Sequence, residues 1–228
     1  MTTPSVRRLA VDPDADVTAL HYAADTPAGA TLVLAHGAGT DQRHRAMVTL
    51  AAGIATHGVD VLTFNFRYTE QRRRTPDRGP VLEQTWMAVV EALAADLPAD
   101  HRLVIGGKSM GGRIGSMVLA HAPATPAWTR VSGLVLLGYP LHPPGKPDQL
   151  RTAHLPAIRV PVLLVHGTRD AFGTREEIEP VFHALPTRVD VEFIEGGDHS
   201  FKVPKSTGLT ESAVLARICE RVAMWILG

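Results

Sequence analysis

The sequence predicts an α/β fold: a mostly parallel sheet with helices on both faces. Three observations carry that expectation. Short continuous apolar runs recur along the chain, among them TLVLA at 31–35 and VLLV at 162–165. Strands covered on both faces read this way, because neither face meets water. Longer stretches with apolar residues at helical spacing separate the runs, and that alternation is what parallel crossovers require. The composition is that of an ordinary globular chain, with 45% hydrophobic and 20% charged residues in 228. The length favours a single domain over 1–228, and folding should bury roughly 70% of the unfolded chain's surface.

The elements follow in order. Residues 17–22 form an early strand, and 31–35 the next, stopping at His36-Gly37. Met47, Leu50, Ala51 and Ile54 mark a helix over 44–57, with Thr40 or Asp41 placed to cap it. A strand at 59–64 precedes a helix over 81–97, which Pro98 ends. A short buried strand at 103–105 leads into a small-residue helix at 111–121. Strands at 134–137 and 162–165, a helix at 176–185, a strand at 189–194 and a last helix at 209–227 complete the series. No internal repeat, low-complexity segment or linker divides them.

Charge and cysteine content remove several classes. Lys plus Arg is 23 and Asp plus Glu is 23, so the formal net charge is zero. A protein that binds nucleic acid through its phosphates should be more basic. One cysteine allows neither an internal disulfide framework nor an all-cysteine metal site. No run approaches the ~20 apolar residues of a membrane span. Asp12, Asp14 and Asp16 interrupt any signal-like stretch after the N-terminal arginines. The expectation is a cytoplasmic protein without a nucleic-acid or membrane partner.

In such sheets ligands bind beyond the carboxyl ends of the strands, so the residues just after each apolar run matter most. After 103–105 comes Gly107-Lys108-Ser109-Met110-Gly111. A Gly-x-Ser-x-Gly run between strand and helix makes a tight turn that presents the serine hydroxyl above the sheet, at a helix N-terminus able to bind an anion. Seven serines and 20 glycines give about 0.05 chance matches per chain, so the motif is informative. A phosphate-binding P-loop fails, because position 102 is Arg102 where that loop needs glycine, and a dinucleotide motif from Gly37 fails at Gln42. His36-Gly37-Ala38-Gly39 follows 31–35 and can turn backbone N–H groups toward an oxyanion, with Ala38 the favoured donor, Gly39 the alternative and Met110 the second donor. Asp170 follows 162–165, and His199 follows 189–194 on a glycine-rich loop. The order Ser109, Asp170, His199 is that of a nucleophile-elbow hydrolase. Asp198 is a rival acid, although adjacent side chains usually point apart.

With these residues in hand, the chain resembles the α/β-hydrolase superfamily, and within it the small hydrolases that include dienelactone-hydrolase-like proteins and relatives of testis-expressed protein 30. The resemblance lies in HGAGTD (36–41), NFRYTEQRRRTPDRGPVLE (65–83), GGKSMGGR (106–113), GYPLHPPGKP (138–147), HGTRDAFG (166–173) and GGDHSFK (196–202). It implies an α/β-hydrolase fold and carries Ser109, Asp170 and His199 over as a triad. It does not imply dienelactone hydrolysis, an activity that in such relatives resembles one with cysteine at the elbow. Some eukaryotic relatives serve in protein complexes, so a catalytically quiet interaction module is the alternative to an enzyme.

The expected activity is that of a serine hydrolase acting on a small-molecule acyl substrate, as an esterase, thioesterase or peptidase, with no cofactor. The 65–80 loop, with Arg72, Arg73 and Arg74, is a solvated basic loop or a pocket wall for anions; Tyr68 and Arg72 from this loop, and Gly39 from the loop after 31–35, are candidate substrate contacts. The proline-rich segment 139–160 is too short for a cap and predicts an open, shallow pocket. Lys108 reads as a surface or supporting residue, and Arg113 as a structural ion-pair partner in preference to a substrate clamp. His36 and His166 lack a third ligand at a recognisable spacing, so no metal is expected. Cys219 reads as core.

Overall fold

The computed structural model describes residues 3–228. The described residues form one eight-stranded sheet. Its strands are β1 (Ser5–Asp12), β2 (Ala15–Tyr22), β3 (Ala30–Ala35), β4 (Asp60–Phe64), β5 (Arg102–Lys108), β6 (Val131–Leu137), β7 (Val162–Gly167) and β8 (Val189–Ile194). Their spatial order is β1-β2-β4-β3-β5-β6-β7-β8. β2 pairs antiparallel with β1 and β4, and every other pair is parallel.

The helices are α1 (Arg45–Ala55), α2 (Arg67–Glu70), α3 (Gly79–Asp96), α4 (Met110–His121), α5 (Pro126–Thr129), α6 (Arg175–His183) and α7 (Glu211–Leu227). α1 and α7 cover one face of the sheet, where Leu50, Ile54, Ile218 and Val222 pack on Leu32, Leu34 and Val165. α3, α4 and α6 cover the other, where Trp86, Ile114 and Phe182 join Phe64, Ile105 and Leu164. β3 and the middle of β5 and β7 are buried on both sides, which explains their uninterrupted apolar sequence. Cys219 is buried in the α1–α7 layer; burial pushes its thiol up to about 12, and a Cβ on Gly53 would come within 2.6 Å of its sulfur.

The parallel register aligns the carboxyl ends. Ala35 stands opposite Gly107, Lys108 opposite Leu137, and Gly167 opposite Ile194. The loops after β3, β5, β7 and β8 therefore leave the sheet along one rim.

The structure adds and moves some elements. β1 was absent from the sequence reading; it is an edge strand, half exposed, with Arg7 and Arg8 in its middle. The short α2 interrupts the expected 65–80 loop. α1 begins at Arg45, and His44, not Thr40 or Asp41, is its cap: its Nδ1 accepts the Ala46 N–H. Thr40 and Asp41 are engaged elsewhere, through Thr40 Oγ1 to the Gly37 carbonyl and Asp41 Oδ1 to the Arg43 N–H. No helix among the described residues is long and apolar enough to cross a membrane.

Candidate active site

Ser109 sits between β5 and α4 with φ +52° and ψ −117°. A side chain rarely adopts this positive φ, and the surrounding backbone must hold it there. The Ser109 N–H donates to the Leu137 carbonyl at 2.9 Å, and its own carbonyl accepts the Arg113 N–H at 3.0 Å. The turn is too tight for side chains on either flank. A Cβ on Gly107 would lie 2.3 Å from the Gly112 nitrogen, and one on Gly111 would lie 2.6 Å from the carbonyl oxygens of Ala35 and His36. Glycine is thus required two residues before and two after the serine.

Ser109 Oγ lies 2.8 Å from His199 Nε2, and His199 Nδ1 lies 2.7 Å from Asp170 Oδ2. The Asp170 carboxylate can only accept, so Nδ1 carries the ring proton and Nε2 accepts from the serine hydroxyl. Asp170 is almost fully buried. Burial alone would raise its carboxyl, but the His199 hydrogen bond, the charges of His199 and His166, and the Phe172 N–H at 2.8 Å together hold it below the usual range. Asp198 turns away: its Oδ1 accepts the N–H groups of Ser200 and Lys202 at 2.8 and 2.9 Å and closes its own loop. The Phe172 ring lies 4.2 Å from the imidazole, centroid to centroid, and covers one side of it. Phe201, next in this loop, is buried at a positive φ of +64°.

His36 organises the loop after β3. Its Nε2 accepts the Phe66 N–H at 3.3 Å, which leaves Nδ1 as the donor to the Gly37 carbonyl at 2.8 Å. Burial lowers the imidazole pKa, opposed by that hydrogen bond, and favours the neutral ring. Thr40 Oγ1 donates to the same carbonyl at 2.9 Å. In a trans peptide the N–H points opposite to the carbonyl, so pinning the Gly37 oxygen on one side turns the Ala38 N–H to the other. Ala38 and Met110 both line the cavity that contains Ser109. Met110 is the first residue of α4, where the N–H has no partner within the helix.

Residues 28–227 match the family described as the alpha/beta hydrolase domain. The chain belongs to the α/β-hydrolase family. Solved structures of similar architecture include an alpha-beta serine hydrolase homologue from Coxiella burnetii, 17% identical with a TM-score of 0.75, aligned over 97% of this chain and 98% of that one. A dienelactone hydrolase from Anabaena variabilis is 18% identical with a TM-score of 0.72, over 99% and 98%. A serine hydrolase without lid from Xanthomonas campestris is 17% identical with a TM-score of 0.74, over 99% and 96%. At these identities the likeness is one of fold.

In this α/β hydrolase the cavity at the rim measures about 830 Å³. The segment 139–160 does not close over Ser109. Tyr139, Leu141, Leu155 and Ile158 anchor it in the core, and only Pro140 and Arg151 reach the cavity wall.

Three expected substrate contacts lie outside that wall. Tyr68 is fully buried, stacked on Phe66 and edge-on to His36. Its hydroxyl approaches the Gly39 backbone and the Thr69 side chain but completes a hydrogen bond with neither. It therefore underlies the His36 loop instead of facing substrate. Arg72 is exposed in a left-handed turn, φ +57°, and Arg73 pairs with Asp77. The 65–80 segment contributes Pro76, Asp77 and Gly79 to the wall in place of its arginines. Gly39 is an exposed loop tip at φ +71°, while its neighbours Ala38 and Thr40 reach the cavity.

Two residues flanking the serine also reach the cavity. Lys108 lines the cavity and lies 5.2 Å from the Phe201 ring centroid; burial brings its pKa down to about 8, against the charges of Asp170 and Asp198. Arg113 forms no ion pair among the described residues and faces the cavity. His166 donates from Nε2 to the Gly173 carbonyl at 2.8 Å, behind Asp170. The sequence reading missed Phe172, although it stands inside the HGTRDAFG block.

Proposed function

We propose that the protein is a serine hydrolase that cleaves carboxylic esters or closely related acyl bonds of small molecules. The observation that carries this reading is the unbroken hydrogen-bond chain from the buried Asp170 carboxylate through His199 to the Ser109 hydroxyl in the cavity wall. A structural domain has no need of a strained serine joined to an imidazole and a buried acid.

Ser109 Oγ attacks the acyl carbon while His199 Nε2 takes its proton. Asp170 holds the tautomer and stabilises the imidazolium. The carbonyl oxygen becomes an oxyanion and accepts from the Ala38 and Met110 N–H groups. As the tetrahedral intermediate collapses, the bond to the leaving group breaks and His199 returns the proton to that group. Water, deprotonated by His199, then attacks the acyl-enzyme, and Ser109 leaves with its proton restored. No step draws on a cofactor. The serine hydrolases among the structural neighbours support the same chemistry on this fold.

A panel of short 4-nitrophenyl esters tests the reading. The wild type is expected to turn them over, and Ser109→Ala to lose at least about 10⁴-fold in kcat. Equal rates for the two proteins would overturn it.

A further inference from the structure

We infer that the substrate carries a second, anionic group, of which a carboxylate is the simplest, and that Arg113 and Arg151 clamp it beside Ser109. The inference rests on the hydrolase reading of the same cavity and adds the class of substrate: the half-ester of a dicarboxylic acid, cleaved to the dicarboxylate and an alcohol.

Both arginines line the cavity that holds Ser109, and both are only partly exposed. Neither pairs with a carboxylate among the described residues. The Arg113 guanidinium reaches only the Met117 sulfur, at 3.2 Å, and that of Arg151 only the Pro140 carbonyl, at 3.5 Å. Other partly buried arginines are satisfied in different ways: Arg67 holds Asp12, and Arg130 donates to the carbonyls of Ala94, Leu97 and Pro98. Burial works against the Arg113 charge first and the Arg151 charge adds to it, with Tyr139 and Glu83 opposing. Two half-buried cations that repel each other are costly unless an anion joins them.

The cavity supplies little to balance them. Its two acids are Asp77, already paired with Arg73, and Glu211, exposed at the start of α7. Lys108 adds a further cation next to the nucleophile.

The backbone fixes the pair relative to the chemistry. Arg113 lies one helical turn beyond Ser109, and its N–H is bonded to the Ser109 carbonyl. Arg151 is tied back by its N–H to the Leu141 carbonyl at 2.8 Å and by the Tyr139 hydroxyl on its own carbonyl at 2.6 Å. A planar guanidinium donates two parallel hydrogen bonds to a carboxylate, which fits a ligand held at a set distance from the scissile bond.

The experiment compares kcat/KM for mono-4-nitrophenyl glutarate and 4-nitrophenyl pentanoate, acyl chains of equal length that differ in the terminal charge. The wild type is expected to favour the anionic ester by about tenfold or more. Arg113→Met and Arg151→Met should each lower that preference about tenfold, and Arg113→Lys should retain part of it. A preference near one in the wild type, or one that neither substitution moves, overturns the clamp. If neither ester is hydrolysed, the hydrolase reading fails by itself, and calorimetry with glutarate reads the clamp separately. Binding weakened about tenfold by Arg113→Met or Arg151→Met then upholds it; no binding by the wild type overturns it.

Discussion

Asp198 adjoins His199 in sequence, yet it is the distant Asp170 that orients the imidazole, because Asp198 spends its Oδ1 on the Ser200 and Lys202 N–H groups. Asp170→Asn should therefore cost about 10⁴ in kcat, since an amide at that position favours the wrong tautomer. Asp198→Asn keeps an acceptor for its loop and should cost far less. Steady-state kinetics on the two variants check this, and equal losses would reverse the assignment. His36 makes a second prediction at this scale. Its Nδ1–H pins the Gly37 carbonyl and so aims the Ala38 N–H. His36→Phe removes that pin, and kcat should fall about 10- to 100-fold, short of the 10²- to 10³-fold typical of deleting an oxyanion donor outright. KM should change little. A KM rise with kcat intact would mean that His36 acts on substrate binding instead.

The elbow joining β5 to α4 is where local sequence and catalysis meet. Gly111→Ala would drive a Cβ into the carbonyl oxygens of Ala35 and His36, atoms of the neighbouring strand end that cannot yield without moving the oxyanion loop. The expected result is a melting temperature lowered by several degrees together with lost turnover; a variant with wild-type melting and rate would show that the turn is looser than described. Elements of this kind were legible in sequence for a physical reason. β3 and the middles of β5 and β7 are covered on both faces, so their sequences are apolar there, and Ser109, Asp170 and His199 fall in the turns after β5, β7 and β8. β1 was not legible because an edge strand with an exposed face carries arginines and serine, and nothing in its own sequence names its partner β2. The 65–80 loop misled for a related reason. Its position at a strand's carboxyl end suggested substrate contact, but Phe64, Phe66 and Tyr68 form an aromatic cluster that turns Tyr68 inward. No local pattern states which way a loop aromatic points. The place of Arg113 at the start of the helix after the elbow suggests an ion-pair role; that it has no such partner among the described residues depends on which side chains the fold brings near.

Across the whole molecule, burial lowers the pKa of several histidines. His154 lies against Ser116 Oγ at 2.8 Å, and burial, with the charges of Arg113 and His121, pulls its pKa from 6.5 down to about 4. Between those values the unfolded chain binds a proton that the folded chain does not, so stability falls as pH drops from 6.5 toward 4. His36 and His166 are shifted in the same direction by burial and add to the same loss. In urea titrations at pH 7 and pH 4.5, His154→Gln should lose less stability than the wild type, by on the order of 2 kcal/mol after allowing for its partial exposure. An identical loss in both proteins would mean that His154 takes up its proton without hindrance. The central claim, that one serine in this cavity is a nucleophile activated by its own histidine and acid, is reached most directly by covalent labelling. Intact-mass analysis after treatment with a fluorophosphonate should show one adduct per chain, located on Ser109 and absent from Ser109→Ala. A wild-type protein that stays unlabelled, or a Ser109→Ala variant labelled to the same extent, would contradict the account.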